Sequence, residues 1–332
     1  MDISETQKLK NILIYNSGGG LGDSIQLFSL ILSLQEHYKH SKLYYLGSHK
    51  NHFRDKLKDY NIKIETLDLN LKYFGFRWWH YFFIKNNFLK MGINRFDLII
   101  DLQSKIRNTF LLKKLPHIHF YSSTYNFNFC SASKQFTRDH NLTNMLIDNL
   151  NILLDTNILK IDYNLDFIKK DLLIEAKKLL PNNSYVGFSI TQGNQYRKKK
   201  WGLEKFIRLA NKIKDKNKVP VFFIEESNEV LISRIKLEVS NALFPEMKSS
   251  KKCPALVTAL ATRLEKAITI DNGVMHMIGL AKIPLIVLFG PTNSKKFAPK
   301  NKNVTILDSK EIYKSNDISK IGVEDVMRFF NS

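Results

Sequence analysis

The run Thr269-Ile270-Asp271-Asn272-Gly273-Val274-Met275-His276, continued by Pro284-Leu285-Ile286-Val287-Leu288-Phe289-Gly290-Pro291-Thr292, constrains the fold more than any other part of this chain. It reads as a β-rich run, a glycine turn, a helix of small residues, and a second buried strand ending in a Gly-Pro turn. A strand that turns directly into a helix presents unpaired backbone N–H groups at its carboxyl end, where a phosphate can sit. The segment therefore predicts a nucleotide-diphosphate site on an α/β scaffold.

The remainder of the chain is organised in the same way. Apolar, β-rich runs near 11–16, 42–46, 62–66, 97–101 and 117–121 alternate with helical periodicity, including a helix over 24–38. After a helical stretch over 139–154, the polar segment from Asp155 to Lys170 reads as a linker. The second half repeats the pattern, with strands near 185–190, 219–224, 267–270 and 284–289 and helices beginning near Leu203, Ser227 and Pro254. Alternation of this kind predicts parallel βαβ units, and 332 residues suffice for two domains with separate cores. The expected fold is α/β: two Rossmann-like domains, 1–160 and 161–332, facing one another across a cleft. The last helix is expected to pack in the second domain or back on the first.

Several function classes are disfavoured at once. No apolar run approaches the ~18 residues of a membrane helix, and Met1-Asp2-Ile3-Ser4-Glu5-Thr6 lacks the basic-then-apolar plan of a signal peptide, so a cytoplasmic protein is expected. Cys130 and Cys253 stand in unrelated contexts and indicate neither a disulfide framework nor a zinc site. The turn Gly18 to Gly22 fails as a dinucleotide fingerprint, because Asp23 and Ile25 occupy positions where glycine is needed; a nicotinamide cofactor is not expected. The loop instead offers a carboxylate, Asp23, at the mouth of the first helix, either as a helix cap or as a general base.

The formal charge of +20 favours anionic partners, whether phosphates, an anionic lipid surface or nucleic acid, unless it is only a compositional surplus of lysine. One segment bears on this choice. Tyr73-Phe74-Gly75-Phe76-Arg77-Trp78-Trp79-His80-Tyr81-Phe82-Phe83-Ile84-Lys85 is dense in aromatics, with Lys72, Arg77, Lys85 and Lys90 interleaved. It is either a core helix with a crowded apolar face or a contact with an anionic membrane surface. Without a recognisable RNA or DNA module, no nucleic-acid partner is expected.

Four segments, in order along nearly the whole chain, resemble glycosyltransferase family 9, the bacterial heptosyltransferases of lipopolysaccharide assembly. Asp271 to His276 with Phe289 to Thr292 is similar to the family's Asp-(Ser/Thr)-Gly-x-x-His and Phe-Gly-Pro-Thr signature. Ile12 to Asn16 followed by Gly18 to Asp23 is similar to its opening strand and Gly-Asp loop, Phe96 to Gln103 with Arg107 to its Asp-Leu-Gln strand, and Lys199-Lys200-Trp201 with Glu204 and Phe206 to its Lys-x-Trp segment. The sequence departs from the family at Asn16 and Ser17, where many members carry Arg; at Gly202, where proline is usual; at Glu225-Glu226, where a glycine turn is common; and at Asn272, in place of Ser or Thr.

The resemblance implies a GT-B architecture with the nucleotide-sugar donor held by the second half and the acceptor by the first. Asp23 is then the candidate catalytic base. Lys199, Asp271, Asn272, Gly273, His276 and Glu226 are the candidate donor-binding residues, and Gly22, Gln103 and Arg107 the candidate acceptor-binding residues. Lys199 and the helix after Gly273 would stabilise the departing diphosphate without a metal. His276 is either a donor contact or a satisfied core histidine. The expected activity is an inverting glycosyl transfer, with heptose from ADP-heptose as the default, to a saccharide or lipid-linked acceptor, in the cytoplasm or peripherally at the inner membrane. The alternatives are a nucleotide-sugar epimerase on the same fold and a non-catalytic basic anion-binding protein.

Overall fold

The computed structural model describes residues 9–47, 52–182, 184–192 and 199–331. Met1 to Thr6, and Arg197 and Lys198 of the basic run before Trp201, lie outside the described residues. The chain forms two compact units. One runs to Tyr163, and the other begins at Asn164 and also takes in Asp59–Asn61.

The first unit holds strands β1 (Asn11–Tyr15), β2 (Lys42–Leu46), β3 (Glu65–Leu67), β4 (Phe96–Asp101) and β5 (His117–Ser122). Its helices are α1 (Leu21–Ile25), α2 (Phe28–His37), α3 (His80–Leu89), α4 (Ile106–Lys113) and α5 (Leu142–Leu154). The second unit holds β6 (Tyr185–Ser189), β7 (Val219–Phe222), β8 (Leu264–Ile270), β9 (Leu285–Phe289) and β10 (Val304–Asp308). Its helices are α6 (Lys170–Leu179), α7 (Leu203–Lys214), α8 (Glu229–Glu238), α9 (Pro254–Ala261), α10 (Gly273–Leu280), α11 (Ser294–Phe297), α12 (Ser309–Tyr313) and α13 (Val323–Asn331).

Each unit is a parallel five-stranded sheet, ordered β3-β2-β1-β4-β5 in the first and β10-β9-β8-β6-β7 in the second. The strands β4, β6 and β9 are buried along their whole length, as expected of parallel strands covered on both faces. In the first sheet the strand order reverses between β1 and β4, and in the second between β6 and β8. The carboxyl ends of those strand pairs are the places where an open parallel sheet leaves a crevice for a ligand.

Two carboxylates of the Phe96 to Gln103 segment are committed to holding the first sheet together. Asp97 Oδ2 accepts the backbone N–H groups of Lys10, at 2.6 Å, and Asn11, at 2.9 Å, fixing the start of β1 on β4. Asp101 accepts from the hydroxyls of Thr109 (2.6 Å) and Ser122 (2.8 Å) and from the Gln103 N–H (3.0 Å). Its burial raises the carboxyl above its ordinary range, and these donors oppose that shift.

The second core is aromatic at its centre. Phe188 stacks on Phe222 with centroids 5.0 Å apart, and Trp201 meets Phe206 edge-on at 4.8 Å. Trp201 is fully buried, and its indole Nε1–H donates to the Ile321 carbonyl at 2.8 Å, the partner a buried indole requires. The last helix, α13, packs against α7 and β9 of this unit and buries Val323, Val326 and Met327 in its core.

Four expectations need correction. The helix expected over 24–38 is two helices, because α1 starts earlier, at Leu21, and is interrupted at Gln26–Leu27 before α2 begins. The strand expected over 62–66 is found at Glu65–Leu67. Strand β10, which extends the second sheet beside β9, was not anticipated. The aromatic segment is not a core helix: α3 buries only His80, Ile84 and Phe88. Among the described residues no helix is long and apolar enough to cross a membrane.

Trp201 gives a direct test of this packing. Trp201→Ala should destabilise the second unit by about 3–5 kcal/mol in denaturant unfolding. Trp201→Phe should cost less, since it keeps most of the packing and gives up the hydrogen bond to Ile321. A loss below about 1 kcal/mol in the alanine variant would contradict the buried position.

Candidate active site

In the second unit the side chains singled out by sequence converge where β6 and β8 end. Asn272 is the N-cap of α10: its Oδ1 accepts the Met275 N–H at 2.9 Å. Its Nδ2 donates to Ser189 Oγ and to the Thr191 carbonyl, each at 2.8 Å. Asparagine thus both caps the helix and ties its N-terminus to the end of β6. Its side chain has no hydroxyl to offer a phosphate. With the Met275 N–H taken by Asn272, the N–H groups of Gly273 and Val274 remain without an intrahelical partner at the helix mouth.

Asp271 and Lys199, expected as separate donor contacts, form an ion pair. Lys199 Nζ donates to Asp271 Oδ2 and lies 3.4 Å from the Asp271 carbonyl oxygen. The Thr292 hydroxyl donates to the same carboxylate oxygen at 2.5 Å. Both charged side chains are nearly buried, with 12% of Lys199 and 9% of Asp271 exposed. Removing either would leave the other charge desolvated and unpaired. Thr292 belongs to the Phe-Gly-Pro-Thr segment, but its bond to Asp271 could not be read from the sequence.

His276 is buried one turn into α10. Burial pushes its imidazole down to about 4; Asp271 opposes that shift and Lys199 adds to it. The ring is therefore neutral at physiological pH.

Among the described residues, Glu226 does not join this cluster. It lies exposed after β7 and pairs with Lys252. A carboxyl group that sequence reasoning missed is Glu246, in the turn Pro245–Lys248. Burial pushes it up to about 7, Glu225 reinforces the shift, and Lys252 opposes it. Nothing in Phe244-Pro245-Glu246-Met247 signals this, because the effect arises from residues distant in sequence.

In the first unit the glycine loop and the end of β4 meet at the other reversal of strand order. Asn16 Oδ1 accepts from the Gly18 N–H (2.9 Å) and from Gln103 Nε2 (2.7 Å), and Asn16 Nδ2 donates to the Asp23 carbonyl (3.3 Å). Asn16, where many family members carry Arg, therefore organises the loop. Asp23 is not the N-cap of the long helix. It is the third residue of α1, and its Oδ2 accepts the N–H of the N-cap residue Gly20 at a long 3.3 Å.

The loop passes so close over Asp23 that a Cβ on Gly18 would lie 2.8 Å from the Asp23 Cβ and 2.9 Å from Oδ2. Glycine there leaves the carboxylate room. Gly22 is buried inside α1. Arg107, in the first turn of α4, stacks its guanidinium 3.6 Å over the Phe76 ring and so joins the aromatic segment. Among the described residues no group of three His, Cys, Asp or Glu side chains is arranged to hold a metal ion.

Glu246 carries a pH prediction. An ordinary Glu ionises near 4.5, whereas the folded chain holds this proton up to about 7. The contribution to stability is therefore complete below 4.5 and is lost as pH rises through 7. Glu246→Gln should remove this loss. The Tm difference between the variant and the wild type should shift in favour of the variant from about pH 5 to about pH 8; a constant difference would contradict the assignment.

The comparisons with known proteins bear on the family and the fold. Residues 88–326 match the family model described as glycosyltransferase family 9 (heptosyltransferase). A curated relative, lipooligosaccharide heptosyltransferase 2 of Campylobacter jejuni, is 24% identical over 214 residues; the match covers 63% of this chain and 63% of the relative's length. Among solved structures, a family 9 glycosyltransferase from Veillonella parvula superposes with a TM-score of 0.69 at 19% identity, over 98% of this chain and 99% of that one. The E. coli heptosyltransferase WaaC, solved with ADP, gives 0.66 at 13% identity, over 97% and 99%. These likenesses of fold extend over both units and place the chain in the GT-B class. With the family model covering well over half of its residues, the chain belongs to glycosyltransferase family 9 (heptosyltransferase).

Proposed function

We propose that this protein is an inverting glycosyltransferase that moves a sugar, by default heptose from ADP-heptose, to a saccharide acceptor of a lipopolysaccharide core. The observation that carries the reading is the Lys199–Asp271–Thr292 cluster beside the Asn272-capped mouth of α10 at the β6/β8 reversal. A nucleoside diphosphate gains negative charge as it leaves. An ammonium held in a nearly dry site and the free N–H groups of a helix N-terminus stabilise that charge without a metal. The family membership supports glycosyl transfer, and the relative from C. jejuni, a lipooligosaccharide heptosyltransferase, supports the acceptor class. The E. coli structure solved with ADP supports the choice of base.

In this reading the acceptor hydroxyl gives its proton to Asp23 as its oxygen bonds to the anomeric carbon. The bond from that carbon to the diphosphate oxygen breaks on the opposite face, and the nucleoside diphosphate leaves with the electron pair. Asp23 has the free volume left by Gly18 and, among the described residues, one long hydrogen bond to give up. Asn16 and Gln103 hold the loop that presents it. His276, being neutral, contributes no charge and serves as a buried donor or acceptor. The reaction is assigned to the cytoplasm, with a lipid-linked acceptor at the inner membrane.

Titration with ADP, UDP and GDP tests the donor class, because a ligand bound only by the folded protein raises Tm by mass action. ADP is expected to give the largest rise; a rise with none of the three would favour a basic protein without nucleotide-dependent activity. Asp23→Asn should retain the ADP-dependent rise and lower turnover by roughly 10²- to 10⁴-fold. Unchanged turnover would remove Asp23 from the mechanism. Lys199→Ala should weaken ADP binding in calorimetry while Asp23→Asn leaves it intact, and equal loss in both would reverse the assignment of the two units.

A further inference from the structure

The aromatic segment and α4 form one surface of the first unit that the transfer chemistry does not use. Helix α3 rests on the unit by a single stripe, His80, Ile84 and Phe88, spaced four residues apart. Most of the rest of it, and the turn before it, faces outward. Trp78 is 76% exposed, Phe82 64% and Phe76 63%, and Tyr81, Phe83 and Leu89 are exposed as well. Helix α4 packs beside α3 and adds exposed Ile106 and Phe110. Soluble proteins seldom leave so many large apolar side chains contiguous in water without a partner.

The stretches of chain that contribute this surface carry charge of one sign. Between Leu69 and Phe96, and again between Leu102 and Arg138, the chain contains no Asp or Glu, while it contains eleven Lys and Arg. Several of these lie against aromatic rings: Lys114 Nζ is 3.5 Å from the Tyr81 centroid, the Arg107 guanidinium 3.6 Å from that of Phe76, and the Arg77 guanidinium 5.4 Å from that of Trp79. Lys85 of α3 and Lys90, its C-cap, are exposed. Apolar rings with interleaved cations match the boundary of an anionic bilayer, where rings enter the interface and Lys and Arg meet the headgroups. Phe82, Phe83, Leu89 and Phe110 carry no polar group, which suits acyl chains better than the edges of nucleobases.

The surface is continuous with the acceptor side of the first unit. Phe74 packs 5.1 Å from the Tyr15 ring at the end of β1, Asn108 Nδ2 donates to the Tyr15 hydroxyl at 2.7 Å, and Arg107 bridges from α4 to Phe76. We propose that the face formed by residues 76–90 with α4 docks the protein on an anionic lipid bilayer and so brings the first unit to its acceptor at the membrane. This deepens the reading of the acceptor as lipid-linked, and it is tested by binding alone, so its failure is distinct from a failure of the transfer assignment.

Flotation of the full chain with vesicles decides it. With phosphatidylcholine and phosphatidylglycerol in equal parts, the wild type should float; with phosphatidylcholine alone it should not, and salt should weaken binding as the charges are screened. Trp78→Ser with Phe82→Ser, and separately Lys85→Glu with Lys90→Glu, should each lower partitioning by about tenfold or more. All four residues are exposed, so Tm and ADP binding should stay at wild-type values in both variants. Unchanged flotation in either pair overturns the proposal, as does equal binding to neutral vesicles. Sedimentation showing a dimer that Trp78→Ser with Phe82→Ser dissociates would assign the face to a second copy. Capture of single-stranded DNA in place of vesicles would assign it to nucleic acid. Either result overturns lipid docking.

Discussion

Because every strand pairing in both sheets is parallel, each unit has one edge from which all its strands exit toward their helices. Chemistry can be assembled there from segments far apart in sequence, and the reversal of strand order opens a gap between two of those exits. Residue 199 meets residue 271 in this way, and residue 16 meets residue 103. The two clusters occupy equivalent positions in their sheets, although their side chains have nothing in common.

The cluster in the second unit contains a cation, an anion and a neutral imidazole in a nearly dry environment. Desolvation would be costly for any of the charges alone, and each is held by a neighbour: Asp271 by Lys199 and Thr292, and the α10 terminus by Asn272. Two of the side-chain substitutions that set this chain apart from its family, Asn272 and Asn16, are absorbed locally. Asn272 takes up both the cap and the link to β6, and Asn16 takes the place of a charged residue by hydrogen bonding on three sides.

Much of the fold was legible because parallel strands are written as continuous apolar runs, as in Leu285–Phe289 and Phe96–Asp101, punctuated by turn residues. The strand-turn-helix at Asp271 to His276 was legible for the same reason, and with it most of the donor-side residues. What escaped reading depends on tertiary surroundings. Strand β10 is short, follows a polar Lys-Asn stretch and gains its place only from β9. The break between α1 and α2 lies within an unbroken helical pattern. The exposure of α3 was undecidable, since aromatic side chains spread around most of a helix read the same whether protein or lipid covers them. The shift at Glu246 and the bond from Thr292 to Asp271 arise from neighbours that no local pattern specifies.

The basic charge of the chain is carried largely by long stretches free of Asp and Glu. The first unit has two such stretches, holding eleven Lys and Arg and separated by Asp97 and Asp101, and the second unit has two more, 176–203 and 272–307, so the surplus is spread over both units. Within the first unit, though, Lys85, Lys90 and the cations stacked on Phe76, Trp79 and Tyr81 gather beside α3 and α4. Near a negatively charged boundary, a body with such an asymmetry experiences a torque as well as an attraction, and it turns while still separated by solvent. Its orientation is selected during approach, before any ring or ammonium group has made contact.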